Sequence, residues 1–132
     1  MIRSDSSLVQ DLMDSSIQYT TDSLVFTCEE RPQQVFEAFL KELREDSVEV
    51  VLVYGSIYRG RMDLGPSDEE QKMYIYFGDC AEKYGCHILN YLWDDICAST
   101  EFFYNATHVN AKGSKIVSEK LAHDLDSIRF TR

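Results

Sequence analysis

The chain has no apolar stretch approaching the roughly 18–20 residues that a membrane-spanning helix needs, and no cluster of Lys and Arg. The first absence argues against insertion into a bilayer. The second, with a formal net charge of −10 and a pI near 4.6, argues against nucleic acid and anionic membrane surfaces as partners, because an acidic surface repels phosphate. Met1-Ile2-Arg3-Ser4-Asp5 lacks the apolar run of a signal peptide. A cytoplasmic location is expected for the chain as written, and an extracytoplasmic one if it is a fragment of a longer exported protein. No G-x-G-x-x-G and no P-loop is present, so neither a nucleotide nor another cofactor is expected. Cys28, Cys80, Cys86 and Cys97 show no C-x-x-C spacing and no histidine at zinc-ligand spacing, so no metal is expected. They read as buried or half-buried free thiols; a Cys80–Cys86 disulfide would need a sharp turn at Gly85. Internal repeats and low-complexity tracts are also missing.

What is present is globular. The 132 residues are 44% hydrophobic and 27% charged, enough for one modest core. The expected organisation is a single α/β domain over 1–132, with 1–30 a weakly structured N-terminal segment carrying a weak amphipathic pattern over 5–18 and a β-prone run at Leu24–Cys28. Pro32 suits a first helical turn. Val35, Phe36, Phe39, Leu40 and Leu43 then repeat at three-to-four spacing, which predicts a helix over 32–45. Val48 to Tyr54 is β-branched and apolar and reads as a strand buried on both faces. Ser67-x-x-Glu70 is a capping box opening a helix with an inward stripe of Met73, Phe77, Cys80 and Tyr84, and Gly85 fits a left-handed C-cap. Cys86 to Tyr91 reads as a second strand. After an irregular stretch over 92–109, Asn110 caps a last helix that turns Val117, Leu121, Leu125 and Ile128 inward.

This alternation predicts parallel strands joined by crossovers and covered by helices. Two or three strands are fewer than a complete doubly wound sheet has. An open sheet edge should remain, which predicts a homodimer or some other strand-pairing partner.

Tyr104-Asn105-Ala106-Thr107-His108-Val109-Asn110-Ala111-Lys112-Gly113 puts a histidine in a polar loop directly before the last helix. With Val48 to Tyr54, Glu82-Lys83-Tyr84-Gly85 and Ile88-Leu89-Asn90-Tyr91, it resembles the C-terminal half of the SGNH (GDSL-like) hydrolases, of the bacterial esterase and acyltransferase-associated type. The resemblance covers 32–132. It implies a partial flavodoxin-like, three-layer α/β/α fold with a short parallel sheet, and ester hydrolysis or acyl transfer as the chemistry. In that family an Asp-x-x-His pair precedes the final helix, and the histidine is the general base of a Ser-His-Asp triad. The resemblance assigns that role to His108 and the orienting role to Asn105, which stands where the family has aspartate.

The Gly-Asp-Ser nucleophile block and the oxyanion-hole blocks are absent, so the isolated chain is expected to be inactive unless a complementing N-terminal half supplies them. Val53-Tyr54-Gly55-Ser56 imitates the nucleophile block without its aspartate and makes Ser56 a distant nucleophile candidate. Gly78-Asp79-Cys80 imitates it inside a helix. His87 and His123 read as structural or solvent-exposed, and Asp94, Asp95 and Glu101 lack metal-ligand spacing. The competing expectation is a non-catalytic α/β interaction module that pairs through its open edge.

Overall fold

The computed structural model describes residues 29–128. The amphipathic segment 5–18, the β-prone run Leu24–Cys28 and Cys28 itself lie outside the described residues. The chain divides into two compact units, each built from non-adjacent segments.

Within the described residues, one unit comprises 29–54 and 65–90. It holds α1 (Glu30–Glu45), β1 (Val51–Tyr54), α2 (Asp68–Tyr84) and β2 (His87–Asn90). β1 and β2 pair in parallel, with Val51 opposite His87 and Tyr54 opposite Asn90. Parallel pairing follows from the connection, since a helix between the strands carries the chain back to the starting end of the sheet.

Local chemistry sets the helix limits. Pro32 sits in the first turn of α1, where the missing N–H costs nothing. Ser67 Oγ accepts the Glu70 N–H at 3.2 Å and opens α2. Gly85, at φ 69 and ψ 35, closes it. The carboxylate of buried Glu70 accepts the Tyr74 hydroxyl at 2.7 Å. α1 and α2 meet through Phe36 and Phe77, edge to face at 5.5 Å, and Tyr54 packs on Tyr74 and Phe77. Leu40, Cys80 and Ala81 are the buried apolar residues here.

Three details differ from the pattern read in the sequence. The strand begins at Val51 rather than Val48, because Ser47 adopts φ 60 and the Val48 N–H turns back to the Leu43 carbonyl at 2.9 Å, closing α1. The apolar stripe of α1 is wider than its packed face: Leu40 is buried, but Val35 and Phe39 are 64% and 55% exposed. β1 is likewise not buried on both faces among the described residues, for Val53 is 43% exposed.

The other unit comprises 55–64 and 91–128. Short 3₁₀ turns at Met62–Leu64, Asp95–Ala98 and Thr100–Phe102 surround β3 (Phe103–Asn105), β4 (His108–Val109) and α3 (Ala111–Ser127). β3 and β4 form an antiparallel hairpin inside the stretch expected to be irregular. Its core is Tyr58, Cys97 and Phe103, flanked by Met62, Ile96, Phe102 and Val109. Asn110 caps α3 as expected, its Oδ1 accepting the Gly113 N–H at 2.9 Å. Gly113 is the buried residue of α3, and a Cβ there would lie 2.1 Å from the Phe102 carbonyl oxygen. Val117, Leu121, Leu125 and Ile128 are half-buried. The architecture is mixed α/β, with three helices among the described residues and two small sheets, one of them parallel. No described helix is long and apolar enough to cross a membrane.

Candidate functional site

The β3–β4 hairpin carries the two residues that the resemblance assigns as general base, His108, and orienting partner, Asn105. Asn105 and His108 are cross-strand partners at its tip, with Ala106 and Thr107 between them. Ala106 is buried, and its carbonyl accepts the Tyr58 N–H at 2.9 Å. At the base of the hairpin the Asn110 N–H donates to the Phe102 carbonyl at 2.9 Å, and Asn110 Nδ2 donates to the Glu101 carbonyl at 2.8 Å. The tip is thus held by backbone bonds on both sides, although Asn105 and His108 are themselves exposed.

Asn105 Oδ1 accepts the Thr107 backbone N–H at 3.0 Å, an Asx turn. A backbone N–H only donates, so the Asn105 atom facing it is the oxygen, and the orientation of the amide is settled by the bond. The same oxygen lies 2.9 Å from His108 Nδ1. A contact with an acceptor makes Nδ1 the protonated nitrogen of the neutral ring, leaving the lone pair on Nε2. Thr107 Oγ1 lies 3.3 Å from Asn105 Oδ1 and 3.0 Å from His108 Nδ1, so the hydroxyl donates to the amide oxygen and shares the imidazole proton. The result is an exposed imidazole anchored through Nδ1.

Ser56 stands apart from this pair. It is buried, its Oγ donates to the Tyr91 carbonyl at 3.0 Å, and no hydrogen bond joins it to His108. The fully buried Cys97 thiol donates to the same carbonyl at 3.4 Å, and burial pushes that thiol up in pKa despite the Ser56 hydroxyl beside it. Ser56 therefore ties its loop to Tyr91, as Arg59 does through Nε to the Leu92 carbonyl at 2.8 Å. The guanidinium of Arg59 also stacks 3.8 Å above the Trp93 ring.

The other histidines and acids have local partners. His87 Nε2 is 3.5 Å from Glu49, and His123 is exposed on α3. Asp94 pairs with Lys120 at 2.7 Å, and Glu101 pairs with Lys112. No group of three or more His, Cys, Asp or Glu among the described residues is placed to hold a metal. Gly78, Asp79 and Cys80 lie within α2, with Cys80 buried.

Thr107 is the site residue that sequence reasoning missed. Its signal was the Asn-x-Thr spacing, which is what an Asx turn with a hydroxyl back-bond requires. Set against family models, curated proteins and solved structures, the chain matches none of them.

Proposed function

We propose that this chain is the base-bearing C-terminal part of an SGNH-like ester hydrolase or acyltransferase of flavodoxin-like architecture. His108 is its general base and Asn105 its orienting partner. The nucleophile and oxyanion donors come from outside residues 29–128 or from a complementing chain. The observation that carries this reading is the 2.9 Å contact between Asn105 Oδ1 and His108 Nδ1, with the amide locked by Thr107 N–H. In the complete site a serine hydroxyl attacks the ester carbonyl while its proton passes to His108 Nε2, which later returns it to the leaving alcohol. Asn105 orients the ring for this but brings no charge to offset the imidazolium. Such a substitution costs about 10⁴-fold in a serine-protease triad.

Hydrolysis of p-nitrophenyl acetate tests the reading without the serine, because the imidazole itself can attack so activated an ester. The expected result is slow hydrolysis that disappears in His108→Ala, rises at least tenfold in Asn105→Asp and is unchanged in Ser56→Ala. Hydrolysis indifferent to both His108→Ala and Asn105→Asp would remove the catalytic reading.

A second reading has its own support. Among the described residues β1 and β2 pair only with each other, and Val35, Phe39 and Val53 are exposed. A non-catalytic module that forms a homodimer through this sheet would cover such surface. Sedimentation equilibrium separates the two: a monomer at micromolar concentration eliminates this second reading.

A further inference from the structure

We propose that Cys80 and Cys86 form a reversible dithiol–disulfide site, closed by the turn that ends α2. The proposal stands apart from the hydrolase reading. Gly85 is left-handed, and the Cys86 N–H reaches back to the Ala81 carbonyl at 2.8 Å, five residues earlier. This is the Schellman closure. It folds the residue after the left-handed position against the helix's last turn, in contact with the residue five or six positions before it. In α2 the folded-back residue is Cys86, and the residue six before it is Cys80. The sharp turn that a bond between these cysteines requires is therefore built into the fold.

Both are free thiols, Cys80 buried and Cys86 half-buried, so the outer sulfur is the one that meets reagents. Burial raises the inner Cys80 thiol in pKa, while its hydrogen bond with the Tyr76 side chain lowers it. Burial raises the Cys86 thiol in pKa, the nearby Cys80 raises it further, and the Arg44 guanidinium draws it down. Arg44 is held at this helix end by its bond to the Lys83 carbonyl at 2.5 Å.

The oxidant is a small disulfide such as oxidised glutathione. Cys86 gives its proton to water, and its thiolate attacks one glutathione sulfur. The glutathione S–S bond breaks, a mixed disulfide forms and one glutathione thiolate leaves. Cys80, deprotonated in turn, attacks Cys86 Sγ and expels the second glutathione thiolate. Two protein thiols are oxidised and one glutathione disulfide is reduced to two thiols, so the exchange runs backwards in excess reduced glutathione.

The test equilibrates the full chain in glutathione buffers of graded ratio, traps thiols by alkylation and maps them by mass spectrometry. The expected product links Cys80 to Cys86, loses two hydrogens, persists in a Cys28→Ser/Cys97→Ser variant and returns to two alkylated thiols on reduction. In Cys86→Ser, Cys80 stays a free thiol. The proposal is overturned if Cys86 accumulates as the glutathione mixed disulfide while Cys80 is alkylated. It is equally overturned if either sulfur pairs with Cys28 or Cys97 instead, or if both stay free at the most oxidising ratio.

Discussion

Asn105 offers one oxygen to the Thr107 N–H, the Thr107 hydroxyl and the His108 ring, and so anchors the ring through Nδ1 with no charge of its own. Nitrogen NMR of the His108 imidazole should show Nδ1 protonated in the wild-type chain. Asn105→Ala should shift the ring toward the Nε2-protonated tautomer that unconstrained histidine prefers, and an unchanged pattern would mean that the amide does not hold it. A separate prediction concerns Asp63, which receives Arg61 Nε and Nη2 at 2.9 and 2.8 Å. That fork holds its carboxyl at about 2, below the usual 3.8. A folded-state value below the unfolded one stabilises the chain above pH 3.8, and the contribution is lost as pH falls through about 2. Carboxyl carbon NMR should place the midpoint near 2 and return it to the ordinary range in Arg61→Ala. Both partners are exposed, so the effect should shrink with added salt. Asn105 and His108 were singled out together in the sequence only because they stand at the Asp-x-x-His position of the family that the chain resembles; the turn that brings their side chains together was not legible there. Nor was the role of Thr107, because it depends on a backbone bond that spacing only permits.

At the scale of elements, helix ends were the most legible part. Ser67, Gly85 and Asn110 act as their residue types require, since capping depends on a few neighbouring atoms. The end of α1 was not legible, because Ser47 does there what glycine usually does. Ser47→Gly should stabilise the chain by roughly 0.5–1 kcal/mol, the left-handed strain relieved less the backbone entropy that glycine adds to the unfolded state. A denaturant midpoint that falls instead would show the serine to be favoured there. Gly113→Ala should do the opposite. Its Cβ meets the Phe102 carbonyl, so α3 must shift at a cost of roughly 2–3 kcal/mol, readable as a lower thermal midpoint. The hairpin at 103–109 escaped sequence reasoning because two-residue strands carry too little alternation to register. The over-wide stripe of α1 misled for a different reason: periodicity marks which residues are apolar, whereas packing partners decide which are covered.

At the scale of the whole chain, Tyr91 links the second unit's loop to α3, its buried hydroxyl donating to Asp124 Oδ2 at 2.7 Å. Burial, and then Asp124, raise the phenol well above its usual value of 10. A raised value stabilises the folded state below pH 10, and that stability is lost as pH rises further. Alkaline unfolding should therefore steepen above pH 10, and Tyr91→Phe should remove that part of the slope. The mixed α/β class was legible from alternating periodicities, but the division into two units was not, because each is closed by bonds between distant segments. Their interleaving limits how the molecule can be cut. Ending the chain after Asn90 would leave α1, β1, α2 and β2 with their mutual partners, yet deprive the 55–64 loop of the carbonyls of Tyr91, Leu92, Cys97 and Ala106. Neither unit is a contiguous stretch that can be excised. A form split after Asn90 would have one piece holding parts of both units and would regain the second only by reassembly, so a broken backbone and a lost unit are not the same event here.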